Sequence, residues 1–308
     1  MRLLEKPARL WLDDILVVTA FPPWADAAVP YALSFAREHS ARMHIAHAVS
    51  AQFFQRVTNM PHDGGFREPW REAMMTATAR QAVVHEDEIG LKLRSMTHRN
   101  DFDLAIVSAG QHDGDEPSLG MAVKELLLSA DCPVLVLGPS ISASGPASSK
   151  PATILYATDF SPQALAAARR AFSWAQEYEA WLTMLHVVEG VGPRTDHERG
   201  HLEEPYRKWM TELVPQELPL WCEVDYRVSF GAAGQAVVQA ARELYADLIV
   251  IGLSGLDGAD ATRPGSTTEQ VIRQAPCPVL VVREYMPKRA PLEFARDRRS
   301  RAITAAAV

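Results

Sequence analysis

Cysteine is scarce. Cys132, Cys222 and Cys277 are the three in 308 residues, an odd and thinly spread set that argues against a disulfide framework and fits a reducing compartment. Long apolar runs are missing as well. No stretch approaches the about 20 residues a membrane helix needs, so no membrane association is expected. In Met1-Arg2-Leu3-Leu4-Glu5-Lys6, charges break each short apolar run, so no signal-peptide core can be placed there and a cytoplasmic location is expected. Positive charge is not in excess: 31 basic residues against 38 acidic ones leave a formal charge of −7, which argues against nucleic acid as a partner. The one basic concentration runs from Arg283 to Arg301, with seven Lys or Arg and little apolar periodicity, and reads as a solvated terminus. Also missing are Gly-x4-Gly-Lys-Ser/Thr, Gly-x-Ser-x-Gly and metal-spaced cysteine pairs, the signatures of common catalytic centres.

What the chain does have is a repeat. Adding 139 pairs Ile15 with Ile154, Leu16 with Leu155, Thr19 with Thr158 and Phe21 with Phe160. The same register pairs Ala36 with Ala175, Glu38 with Glu177, His47 with His186 and Val49 with Val188. Further along the offset drifts to 144, pairing Asp103-Leu104 with Asp247-Leu248, and then to 145, pairing Gly120 with Gly265 and Cys132-Pro-Val-Leu-Val136 with Cys277-Pro-Val-Leu-Val281. Such drift is what loop insertions produce between duplicated units. Between the copies, residues 138–151 are rich in Gly, Pro and Ser, a composition that buries no core. The expected layout is a first domain at 1–140, a linker at 141–152, a second domain at 153–285 and a flexible basic tail at 286–308.

Each copy alternates strand and helix. In the second, the pattern predicts strands at Ile154 to Thr158, Trp181 to Val188, Glu223 to Ser229, Asp247 to Ile251 and Pro278 to Val282. Helices are predicted at Pro162 to Tyr178, in a segment ending near Leu213, at Gln235 to Leu244 and at Ser266 to Gln274. Aliphatic runs such as Leu248-Ile249-Val250-Ile251 read as strands buried on both faces, hence a parallel sheet covered by helices.

The strand ending at Ile251 enters Gly252-Leu253-Ser254-Gly255, then nine residues, then Gly265-Ser266-Thr267 at a helix start. Glycines let backbone N–H groups approach an anion, the unpaired N–H groups of the helix favour phosphate, and the Ser266 and Thr267 hydroxyls could add donors. Ser266-Thr267-Thr268-Glu269 could equally be a capping box. Asp159 stands at the end of the first strand of this copy. If that strand neighbours the one ending at Ile251, Asp159 and Gly252 face one crevice, where open α/β sheets bind ligands. Its alternative is a cap on the following helix.

Together the Gly-x2-Gly-x9-Gly-Ser loop, the following Cys-Pro-Val-Leu-Val strand and Asp159 resemble the ATP-binding branch of the universal stress protein family, in its tandem-domain form. The resemblance spans nearly all of both copies. It implies two tandem Rossmann-like (adenine nucleotide α-hydrolase-like) α/β domains, each a five-stranded parallel sheet of order 3-2-1-4-5. It further implies that Gly252, Gly255, Gly265 and Ser266 contact phosphate or ribose, with Asp159 on the adenine side. Ala157, Thr158, Val188 and Ile251 would shape the base pocket, and ATP would bind with Mg2+. The function implied is an ATP-binding protein of stress response or regulation, not a dedicated enzyme. Its alternatives are a slow ATPase or phosphotransferase using Arg263, or an interaction module without nucleotide.

The first copy departs from this pattern. Ala20 stands where the second has Asp159, Ser108 for Gly252, Gln111 for Gly255, Met121 for Ser266 and Ala122 for Thr267, and only Gly120 survives. Those exchanges remove room and donors for phosphate, so ATP is expected in the second copy alone. The final apolar strands, Pro133 to Leu137 and Pro278 to Val282, are expected to pair the copies as a pseudo-twofold dimer within the chain, since an open apolar edge invites aggregation. A homodimer of whole chains is a further possibility. His197-Glu198-Arg199-Gly200-His201 spells a zinc-peptidase motif. Gly200 weakens a helix and no third ligand is evident, so this segment is expected to be a solvated loop or helix start without metal.

Overall fold

The computed structural model describes residues 10–20, 27–49, 81–85, 93, 95–97, 102–109, 120–141, 150–190, 195–214, 222–253 and 265–283. Most of the linker, the basic tail, Gly255, Gln111 and Arg263 lie outside the described residues. In the first half the strands are β1 (Asp14–Ala20), β2 (Arg42–Val49), β3 (Gln81–His85), β4 (Leu104–Ser108) and β5 (Val134–Leu137), with helices α1 (Ala28–His39) and α2 (Met121–Ser129). The second half supplies β6 (Thr153–Thr158), α3 (Pro162–Tyr178), β7 (Trp181–Val188), α4 (Asp196–Leu213), β8 (Val224–Phe230), α5 (Ala233–Glu243), β9 (Leu248–Gly252), α6 (Ser266–Gln274) and β10 (Val279–Val282). The sequence-predicted elements of the second half fall within two residues of these bounds, apart from the start of α4, which the sequence left open.

The ten strands form one sheet in the order β3-β2-β1-β4-β5-β10-β9-β6-β7-β8. Neighbours run parallel except at the centre, where β5 and β10 are antiparallel. The expected pairing of the two final strands is therefore present, and it fuses what were read as two five-stranded sheets into one mixed sheet. Their register is reciprocal: Val279 faces Val136, Leu280 faces Leu135 and Val281 faces Val134. Because 135 and 280 are equivalent repeat positions, a pseudo-twofold axis passes through this pair.

The same axis passes between α1 and α3. Phe35 meets its counterpart Trp174 edge to face at 5.4 Å, and His39 Nε2 lies 2.7 Å from the hydroxyl of its counterpart Tyr178. On the opposite face Arg283, just after β10, donates to the Leu128 carbonyl of α2. Gly138, just after β5, lies so close to the Ile272 carbonyl of α6 that a Cβ would come within 2.5 Å of it. Both apolar layers run through both halves: one joins Ile15, Phe35 and Leu135 to Tyr156, Trp174 and Leu280, the other Leu16, Val107 and Leu126 to Ile249, Val271 and Val279. Cys132 and Cys277 sit in the second layer, and burial pushes both thiols up to about 12, so they stay protonated at neutral pH.

Local chemistry explains the element ends. Ser161 caps α3 by accepting the Ala164 N–H at 3.2 Å, Pro162 occupies the first turn, and Ala164, Ala167, Ala168, Ala171 and Ala175 form a buried small-residue face that lets the helix lie close to the sheet. At the amino ends of the strands Asp103 accepts the N–H groups of Asp13 and Asp14 at 2.8 and 3.0 Å, and its repeat partner Asp247 accepts those of Ala152 and Thr153 at 2.9 Å each. This matched aspartate pair ties the start of the first strand of each half to the start of the fourth. It is structural, and it lies at the end of the sheet away from the crevice described next. Among the described residues no helix is long and apolar enough to cross a membrane.

Candidate functional site

Strand β6 is flanked by β7 on one side and β9 on the other, both parallel to it. The chain leaves β6 toward β7 and later returns to its opposite side, so the carboxyl ends of β6 and β9 border a point where strand order reverses, the position at which open α/β sheets hold ligands. Ala157 faces Ile251 across this pair, and Thr158 faces His186 on β7. Ile251 and Thr158 are buried, Ala157 and Val188 half-buried, and the Val188 carbonyl accepts the Gly231 N–H at 3.1 Å.

A tight turn leaves β6. The Thr158 hydroxyl accepts the Phe160 N–H at 3.0 Å, and Asp159 Oδ1 accepts the Ser161 N–H at 2.9 Å. Phe160 adopts a left-handed backbone with φ of 62°, which costs a residue with a Cβ about 1–2 kcal/mol and is held by these bonds and by its ring contacts. Asp159 is exposed. The helix cap weighed for Asp159 belongs to Ser161 instead, and Asp159 stabilises the turn one step earlier.

Gly252 ends β9 against the first turn of α3. A Cβ there would stand 2.6 Å from the Gln163 carbonyl carbon and 2.7 Å from the Ala164 nitrogen, both backbone atoms. Glycine is therefore required at 252 for helix packing, whatever else it touches. The sequence could not disclose this, because the partner lies 89 positions upstream. Helix α6 begins at Gly265, which acts as its N-cap without a side-chain hydrogen bond. The capping box weighed for Ser266 is not formed: Ser266 lies one position inside the helix, and the Glu269 side chain turns to Arg273 at 2.5 Å. Ser266 is exposed and Thr267 half-exposed, and the N-cap glycine offers the first N–H groups of α6 no side-chain acceptor. That end can receive an anion.

A group of rings beside the turn was not legible as a unit. His186 Nδ1 donates to the Thr158 carbonyl at 2.8 Å, and burial, partly offset by that bond and by Asp159, holds the imidazole below its ordinary pKa. Its ring stacks on Tyr206 of α4 at 4.4 Å and lies 4.8 Å from Phe160, while Trp209 meets Phe160 and Tyr206 edge-on at 5.5 Å each. Tyr206 and Trp209 are three apart on a helix whose Met210 and Leu213 are fully buried. That spacing was the signal available. Arg207 fastens α4 to the edge strand by donating to the Tyr226 carbonyl at 2.5 Å.

In the first half the equivalent crevice is lined differently. Ser108 ends β4 where Gly252 ends β9, and its side chain would not admit a helix start placed as α3 is; the described helix there, α1, begins at Ala28, five positions later in repeat register than Pro162. Gly120 is again an N-cap without a side-chain bond, but Met121 and Ala122 follow it in place of two hydroxyl residues.

The fold and crevice define an α/β protein of the doubly wound class. A family model described as the universal stress protein family matches residues 152–283. A universal stress protein relative from Staphylococcus epidermidis is 33% identical over 146 residues, covering 44% of this chain and 86% of the relative. One from Staphylococcus aureus is 31% identical over 143 residues, covering 42% and 82%. The crystal structure of a universal stress protein from Archaeoglobus fulgidus superposes with a TM-score of 0.59 at 16% identity, covering 88% of this chain and 98% of that one. One from Pseudomonas aeruginosa gives 0.59 at 19% identity, covering 88% and 93%; both show a shared fold. The chain belongs to the universal stress protein family.

Proposed function

We propose that this chain is an ATP-binding universal stress protein of tandem form, acting in the cytoplasm in stress response or regulation, with nucleotide held in the second half alone. In this reading each half is a unit of strand order 3-2-1-4-5, and the first serves as a fixed partner. The observation that carries the reading is the start of α6 at Gly265, an N-cap with no side chain of its own to offer, in the chain that follows β9, the strand paired with β6. The N–H groups of Ser266 and Thr267, their hydroxyls and Gly255 would take the phosphates, with Mg2+ offsetting phosphate charge when bound. Asp159 would accept hydrogen bonds from the ribose or base, and Ala157, Thr158, Val188 and Ile251 would line the base. Gly252 allows the crevice to form by letting α3 approach, which adds a packing duty to the ligand contact expected of it. The reading is of a binder; phosphoryl transfer would need a positioned nucleophile as well as a cradle.

Gly265→Asp tests this at a position whose φ of −59° any residue can adopt. A carboxylate at the N-cap accepts from the α6 N–H groups and stabilises the helix by only a few tenths of a kcal/mol relative to glycine, while repelling phosphate. Calorimetry with MgATP should show binding to the native chain and its loss in Gly265→Asp, with the melting temperature held or raised. Undiminished binding in that variant would place the nucleotide elsewhere.

A further inference from the structure

The His197-Glu-Arg-Gly-His201 motif is read from sequence as a solvated loop or helix start without metal. Of those two, the structure shows the helix start: the motif occupies the first two turns of α4, capped by Thr195, whose hydroxyl accepts the Glu198 N–H at 3.2 Å. Gly200 is accommodated inside the helix. Its propensity cost of about 1 kcal/mol is outweighed by the cap and by the anchoring of the helix further along, through buried Met210 and Leu213 and through Arg207.

The two histidines, four apart, therefore share one helix face. Both are exposed, their rings meet at 89° with centroids 4.5 Å apart, and the two Nε2 atoms lie 3.2 Å from each other. Two imidazole nitrogens each about 2.0–2.1 Å from one tetrahedral zinc ion stand about 3.3 Å apart. The observed separation is that of a chelate. Without metal the contact survives only while at least one imidazole is neutral, one nitrogen donating and the other accepting.

We infer that His197 and His201 form a two-histidine clip for a borderline transition-metal dication of the Zn2+ or Ni2+ type, bound through both Nε2 atoms at the start of α4. Imidazole suits these ions and not Mg2+ or Ca2+. The positive end of the helix dipole opposes a cation at this place; of the nearby acidic residues Glu203 is already paired with Arg199 and Arg207, so the dipole is a cost the two imidazoles must exceed. Among the described residues no group of three or more His, Cys, Asp or Glu is placed to hold a metal. The clip thus supplies two ligands and leaves the other positions to water or to a donor from another molecule. Such a site is exchangeable, and chelators strip it without unfolding the protein. The peptidase reading of the motif, which needs a third protein ligand, is not part of the inference.

The test is calorimetric titration of the full chain, freed of metal with EDTA, with ZnCl2 at pH 7.5, alongside His197→Gln, His201→Gln and the double variant. All three substitutions are at exposed positions and should leave the melting temperature of the metal-free protein within about 1–2 °C, as surface changes do. The native chain should show one zinc site that both single variants weaken by about 10-fold or more, since changes merely behind a ligand already cost that much. Zinc should also raise the melting temperature of the native chain and not that of the double variant. If the double variant binds zinc with the stoichiometry and affinity of the native chain, or if the native chain binds none, the inference is wrong.

Discussion

The two halves lay down the same strands and differ where those strands end. Asp103 and Asp247 tie the amino ends in the same way, position for position, and Leu135 and Leu280 meet on the pseudo-twofold axis. At the carboxyl ends the second half has Asp159, Gly252, Gly265 and Ser266, where the first has Ala20, Ser108, Gly120 and Met121. The positions that pack are kept between the halves, and those at the carboxyl ends of the strands are not. Each half is needed for its face, because both apolar layers are shared.

The largest expected effect comes from removing what the halves share. Leu280 and Leu135 are almost fully buried against each other, and Leu280→Ala should cost about 2–5 kcal/mol. Because the layers are continuous, urea should unfold the variant in one transition displaced as a whole. Two separated transitions, with only the second half weakened, would show that the halves are independent.

A smaller effect separates packing from binding at the end of β9. Gly252→Ala forces a Cβ onto the backbone of Gln163 and Ala164 and should destabilise by about 1–3 kcal/mol, as overpacking does. Its counterpart Ser108→Gly removes a half-buried side chain and should change stability by about 1 kcal/mol or less. Equal melting temperatures for native chain and Gly252→Ala would refute the packing role. For the same reason, lost ATP binding in a Gly252 variant says little about phosphate contact, whereas Gly265→Asp does.

The smallest effect is one of pH. His186 in the second half and His39 at the junction are both held below their ordinary pKa of 6.5, burial being the main cause in each. A histidine whose folded pKa is depressed binds fewer protons folded than unfolded between that value and 6.5, so stability falls as pH drops through this window and is level above it. Melting temperature should therefore decline modestly from pH 7 to pH 5.5, and less so in His186→Gln. An identical decline in that variant would remove His186 from the explanation.

Much of this was legible in the sequence because it is local or periodic. The strands and helices of the second half follow apolar spacing and end at Pro, Gly and Asp, and the open apolar edge expected of each final strand predicted the pairing of β5 with β10. What was illegible depends on contacts between distant positions. Nothing near Gly252 announces that Gln163 lies against it. Phe160, His186, Tyr206 and Trp209 come from three elements and form a cluster only when β7 and α4 are placed. The bond between His39 and Tyr178 joins equivalent positions, but the repeat tells which residues correspond, not where the axis runs. Likewise the spelling of the histidine motif was plain and a helix start was one of its two readings, while the contact between the two rings was not legible.

The contrast between the halves is tested most directly by counting nucleotide. A native mass spectrum of the full chain saturated with MgATP should show one ATP per chain, and the Gly265→Asp variant should show none. Two ATP molecules per native chain, or one that persists in Gly265→Asp, would contradict the assignment of a single site to the second half.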